Sequence, residues 1–128
     1  MRCVLCWPIP VDWRRATAAA ILATGVSGCG GGVPEVSVTL SEFAFEPPRI
    51  SIPRSQKTAL KLQNKGTVEH NFSVPQLNLT SLPVAPGKTV TLEFAVPRGG
   101  APLRVVCTIP GHEESGMVAE LVAVERSR

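Results

Sequence analysis

The feature that most constrains this chain is a series of short runs in which apolar residues recur at every second position, each run closed by Pro, Gly or Asn. From Glu35 onward, Val36, Val38 and Leu40 alternate with polar neighbours, as do Ile50 and Ile52, Leu60 and Leu62, and Phe72 and Val74. Val90, Leu92, Phe94 and Val96 form the longest run, followed by Leu103, Val105 and Cys107, then Met117, Ala119, Leu121 and Ala123. A period of two over such lengths predicts half-buried strands. Turn chemistry stands between them at Asn64-Lys65-Gly66, Pro86-Gly87, Arg98-Gly99-Gly100 and Pro110-Gly111. No long segment carries a helical period and there is no internal repeat. The expected fold is an all-β sandwich of about seven to eight strands over residues 35–128.

Residues 1–28 read differently. A basic start ending in Trp13-Arg14-Arg15 precedes the apolar run Ala16 to Thr24 and then small residues, the pattern of an export signal. The run falls short of the roughly 20 apolar residues that span a bilayer. Val26-Ser27-Gly28-Cys29 resembles the lipobox of bacterial lipoprotein signal peptides, in which the cysteine is lipidated and begins the mature chain. A plain secretory signal that contains a cysteine is the alternative. The lipoprotein reading implies a signal peptide over 1–28, lipid on Cys29, a Gly-rich tether over 29–34, and a chain held to the membrane on its extracytoplasmic side.

Charge and cysteine usage narrow the function. The net charge is +3, but Arg2, Arg14 and Arg15 against Asp12 place most of it in the leader, and 10 basic residues face 9 acidic ones in the remainder. No basic stripe interleaved with aromatics is present, which excludes nucleic acid as a partner. Of the four cysteines, Cys3 and Cys6 lie in the leader and Cys29 would carry lipid, so Cys107 stands alone. It has no internal disulfide partner, and is a spare, an intermolecular partner, or a residue kept for its chemistry.

Strand phase bears on that choice. His70 shares a predicted strand face with Phe72 and Val74, and Cys107 shares one with Leu103 and Val105, so both point inward. Met117 opens the last strand in phase with Ala119 and Leu121, and His112 lies on the loop between two strands. Singly, each has an ordinary role: a hydrogen-bonded core histidine, a small buried hydrophobe, a core filler, a turn residue. Together they are the only Cys, both His and the only Met of the predicted domain, falling in one arrangement. A thiolate, two imidazoles and a weak axial thioether are the donors of a blue-copper electron-transfer site.

The loop Cys107-Thr108-Ile109-Pro110-Gly111-His112-Glu113-Glu114-Ser115-Gly116-Met117, a Cys-x4-His-x4-Met pattern, resembles that of the cupredoxins. Glu69-His70-Asn71-Phe72 is similar to the family's first-histidine motif, and Pro86-Gly87-Lys88-Thr89 to the hairpin entry that follows it. The resemblance implies a Greek-key sandwich holding one copper ion that cycles between Cu(I) and Cu(II). It implies His70, Cys107 and His112 as equatorial ligands, Met117 as the axial one, and Asn71 hydrogen-bonded to Thr108 or the Cys107 sulfur in support. His112 would turn one imidazole edge to solvent, with an apolar rim to dock redox protein partners. The implied protein is a monomeric electron carrier and not an enzyme. Departures are Val105 and Leu103, where many members carry aromatics, and Glu113 and Glu114 after His112, which make that surface more acidic.

Rival sites explain fewer residues. Zinc leaves Met117 unexplained. A binuclear copper centre needs a second cysteine in the loop, and oxidase or nitrite reductase chemistry needs histidines beside Cys107, where Val106 and Thr108 stand. Haem attachment needs Cys-x-x-Cys-His, and a cysteine nucleophile leaves His70 and Met117 unused. A copper-binding protein for storage or delivery without redox turnover is the remaining alternative; it would be expected to carry further Met or His.

Overall fold

The computed structural model describes residues 31–98 and 102–125. Within them the alternating runs form nine strands: β1 (Glu35–Ser41), β2 (Ala44–Glu46), β3 (Arg49–Pro53), β4 (Thr58–Asn64), β5 (Ser73–Val74), β6 (Leu79–Thr80), β7 (Thr89–Phe94), β8 (Leu103–Val106) and β9 (Val118–Val124). One 3-10 turn, Pro75–Leu77, joins β5 to β6. The leader over 1–28, Cys29, and Gly99 and Gly100 of the Arg98-Gly99-Gly100 turn lie outside the described residues.

Two sheets carry the strands in the orders β2-β1-β4-β7 and β3-β9-β8-β5-β6. The chain passes repeatedly from one sheet to the other, and both sheets are mixed, because β1 runs parallel to β4 and β3 parallel to β9. The strand count exceeds the expected seven to eight by β2 and β6. With three and two residues they are too short to display a period.

The core lies between the sheets. Val38, Leu40, Leu60 and Leu62 from the first sheet meet Ile50, Ile52, Val74, Val105 and Leu121 from the second, all buried. Phe45 and Phe72 close one part of it edge to face, with ring centroids 5.9 Å apart. Each such side chain contributes about 1.5–3 kcal/mol by leaving water.

Around His70 the strand reading needs correction. His70 makes only an isolated bridge to Val84, its N–H donating to the Val84 carbonyl at 3.3 Å and its carbonyl accepting from the Val84 N–H at 2.7 Å. Asn71, Phe72, Ser73 and Val74 are all buried, so alternation does not separate an inner face from an outer one there. The segment is covered on both sides, and phase alone does not explain the burial of His70.

Candidate metal centre

Two separate parts of the chain build the site. The first is the stretch before β5, held by a buried asparagine. Asn64, at the end of β4, donates from Nδ2 to the carbonyls of Val68 and Val84, both at 2.7 Å, and accepts from the Gly66 N–H on Oδ1 at 2.8 Å. One side chain thus ties the 65–68 turn to the segment paired with His70. Ser81 adds a second tie, accepting the Phe72 N–H at 3.0 Å. Buried polar groups satisfied in this way fix one backbone path.

The second part is the loop from Cys107 to Met117, which bonds to itself. His112 N–H donates to Ile109 O at 3.1 Å, Gly116 N–H to Glu113 O at 2.9 Å, and Met117 N–H to His112 O at 3.0 Å. The loop closes where Cys107 N–H reaches Met117 O at 3.3 Å, next to the Val106 and Val118 pair of β8 and β9. Gly111 and Gly116 have φ of 85° and 98°, which explains why glycine precedes both His112 and Met117.

These parts bring His70, Cys107 and His112 together, with their ligand atoms all within 4.8 Å of one another. His70 Nδ1 lies 3.2 Å from His112 Nδ1, and Cys107 Sγ lies 3.4 Å from His112 Nδ1. His70 and Cys107 are fully buried and His112 is half-buried. Met117 is also fully buried, and its backbone joins His112 to Cys107. The Asn71 N–H points at Cys107 Sγ at 3.5 Å. The Asn71 side chain meets Thr108 twice, donating to its Oγ1 at 2.7 Å and accepting its backbone N–H at 2.8 Å.

Electrostatics suit a cation at this point. Two imidazole nitrogens and a sulfur converge, yet among neutral rings an Nδ1 to Nδ1 contact satisfies only one lone pair. Burial, and then the neighbouring His112, push the pKa of His70 down, while Glu42 opposes the shift. The ring is thus kept neutral and available as a donor. Buried soft sulfur with two imidazoles fits one copper ion.

Sequence reasoning missed three residues around the site. Glu42, in the turn from β1 to β2, places Oε1 3.9 Å from His70 Nε2. Its pKa is lowered from 4.5 to about 2, first by the Thr67 backbone N–H. Phe43 stands edge-on to His112, ring centroids 5.1 Å apart, and is itself 40% exposed. Asn64 stood out only as a turn residue. No periodicity marks any of them; a short polar and aromatic break between two alternating runs was the only signal. The expected acidic surface after His112 is also reduced, because Arg104 on β8 pairs with Glu113 at 2.9 Å.

Known proteins with this architecture share its fold. The structure is similar to reduced auracyanin from the photosynthetic bacterium Roseiflexus castenholzii, with a TM-score of 0.60 and 17% identity over 73% of this chain and 99% of that one. It is similar to auracyanin A, a "blue" copper protein from Chloroflexus aurantiacus, with a TM-score of 0.62 and 19% identity over 73% of this chain and all of that one (100%). A chain of a heme-copper terminal oxidase dimer is similar with a TM-score of 0.58 and 18% identity, over 73% of this chain and 66% of that one. No curated protein matches by sequence. The family model for the cupredoxin-like domain matches residues 15–113, most of the chain and three of the four expected ligands. With that match and the two-sheet sandwich around a His-Cys-His cluster, this chain belongs to the cupredoxin-like family.

Proposed function

We propose that this protein is a single-electron carrier, not an enzyme, that holds one type 1 copper ion through His70, Cys107, His112 and Met117. The observation that carries the reading is the convergence of the Cys107 sulfur and two Nδ1 atoms within 4.8 Å in a largely buried setting. Bound copper supplies a one-electron couple, and the chain's own residues do the rest. Cys107 offers a soft donor shielded from water, and the two imidazoles suit the oxidised ion. The self-bonded loop and the Asn71 to Thr108 pair hold these donors in one geometry, which keeps rearrangement small when charge changes. Half-buried His112 gives electrons a short exit, with Phe43 forming part of the apolar surface beside it.

The likeness to a "blue" copper protein supports the redox reading, and the likeness to a chain of a terminal oxidase supports redox proteins as partners. In this reading the protein works as a monomer, anchored by lipid on Cys29 to the extracytoplasmic face of the membrane. Absorption and electron spin resonance spectra of the copper-loaded full chain, with Cys107→Ser beside it, test the proposal. The parent should be intensely coloured and cycle reversibly, and the variant should lose the colour. A colourless or non-cycling parent would favour copper storage or delivery instead.

A further inference from the structure

The imidazole of His70 offers Nδ1 to the cluster and leaves Nε2 facing away from it. That atom is buried and has no hydrogen-bond partner among the described residues. An orphaned buried N–H costs about 1–3 kcal/mol, so a neighbouring acceptor is significant. The acceptor beside it is the Glu42 carboxylate, with Oε1 at 3.9 Å.

Glu42 is held there from the opposite side. Its Oε1 accepts the backbone N–H of Thr67, the Thr67 hydroxyl at 3.1 Å and the Val68 N–H at 3.1 Å. Gly66 makes room, since a Cβ at that position would stand 2.5 Å from Oε1. Thr67 and Val68 belong to the turn that Asn64 ties down, and that turn leads directly into His70. The position of the carboxylate therefore follows from the same device that positions the ring. Glu113 differs, because Arg104 matches its charge.

We infer that Glu42 is the outer partner of His70: its carboxylate, 3.9 Å behind Nε2, biases bound copper toward the oxidised ion. The inference rests on the copper reading above. A ligating histidine is oriented and made more basic by an acceptor on its far nitrogen. A negative charge close behind the ring favours the state with the greater positive charge. The Glu42 side chain keeps 34% of its exposure, so solvent moderates the effect without abolishing it.

The test uses the copper-loaded full chain. Glu42→Gln removes the charge but keeps an oxygen for Thr67 and Val68. It should stay coloured and reversible while its equilibrium shifts about tenfold toward the reduced ion, a rise of about 59 mV for one electron. The far-nitrogen signal of one imidazole, read by electron spin echo modulation, should change as well. Gly66→Ala, which displaces the carboxylate without neutralising it, should raise the potential in the same direction and covers the case in which Glu42→Gln does not fold. Coloured, reversible variants that shift less than twofold (about 18 mV) with unchanged nitrogen signals would overturn the role of Glu42 and leave the copper reading standing. A parent chain without colour would overturn both.

Discussion

Asn71 and Thr108 are bound to each other twice across the site, side chain to side chain at 2.7 Å and backbone to side chain at 2.8 Å. Each adjoins a member of the cluster, His70 on one side and Cys107 on the other, so this pair joins the two segments that supply it. Asn71→Ala removes both bonds and leaves the Thr108 N–H unmatched. The expected loss is about 1–3 kcal/mol of stability in the metal-free chain, against about 0.5–1.5 for Thr108→Ala. Denaturant unfolding of the two variants checks the order.

Loop backbone should be equally exacting. Gly116 and Gly111 have φ of 98° and 85°, and Gly87 has φ of 74° in a turn away from the cluster. Alanine at any of the three should lower stability by about 1–3 kcal/mol through backbone strain. Only Gly111→Ala and Gly116→Ala should also weaken copper binding, measured by competition with a chelator of known affinity. An equal loss of affinity in Gly87→Ala would contradict a role specific to the loop.

Acid should destabilise the metal-free chain in two stages. Burial lowers the pKa of His70 from 6.5, so below that value the unfolded chain binds a proton that the fold resists. The Thr67 N–H and its neighbours lower Glu42 from 4.5 to about 2, so a second loss begins below 4.5 and runs toward 2. Both groups are less protonated in the fold, hence stability rises with pH across each window. Melting temperatures between pH 3 and 8 should show this, to about a pH unit. Glu42→Gln should flatten the acidic stage and deepen the other, because it removes the charge that opposes the fall of the His70 pKa.

Anchoring is testable apart from the metal. Cells expressing the full chain should retain it in the membrane fraction, with lipid on Cys29 detected by mass spectrometry. Cys29→Ser should prevent lipid attachment and leave the spectrum of the copper-loaded domain unchanged. A parent chain found unlipidated and soluble outside the cytoplasm would point to the plain secretory signal.

Much of the architecture was legible because burial on one face writes itself as alternation. The runs at Val36, Ile50, Leu60, Val90, Leu103 and Ala119 fall on β1, β3, β4, β7, β8 and β9, whereas the Phe72 and Val74 run meets the two-residue β5 only at Val74. β2 and β6 were not legible, since a strand of two or three residues has no period to read. The loop from Cys107 to Met117 was visible as a motif because its bonds are local. Glu42 was not, because its contacts are with Thr67, Val68 and His70, more than twenty residues away, and only the pairing of β1 with β4 brings them close. For His70 the sequence pointed inward on an argument of phase, whereas the structure buries its neighbours on both faces and secures it through Asn64 and Val84.

Cys107, with 0% of its surface accessible, is the one free cysteine among the described residues. A thiol so enclosed reacts with an alkylating reagent only when the surrounding strands part. In the metal-free chain its labelling rate therefore serves as a clock for the breathing of the domain, with no probe added to it.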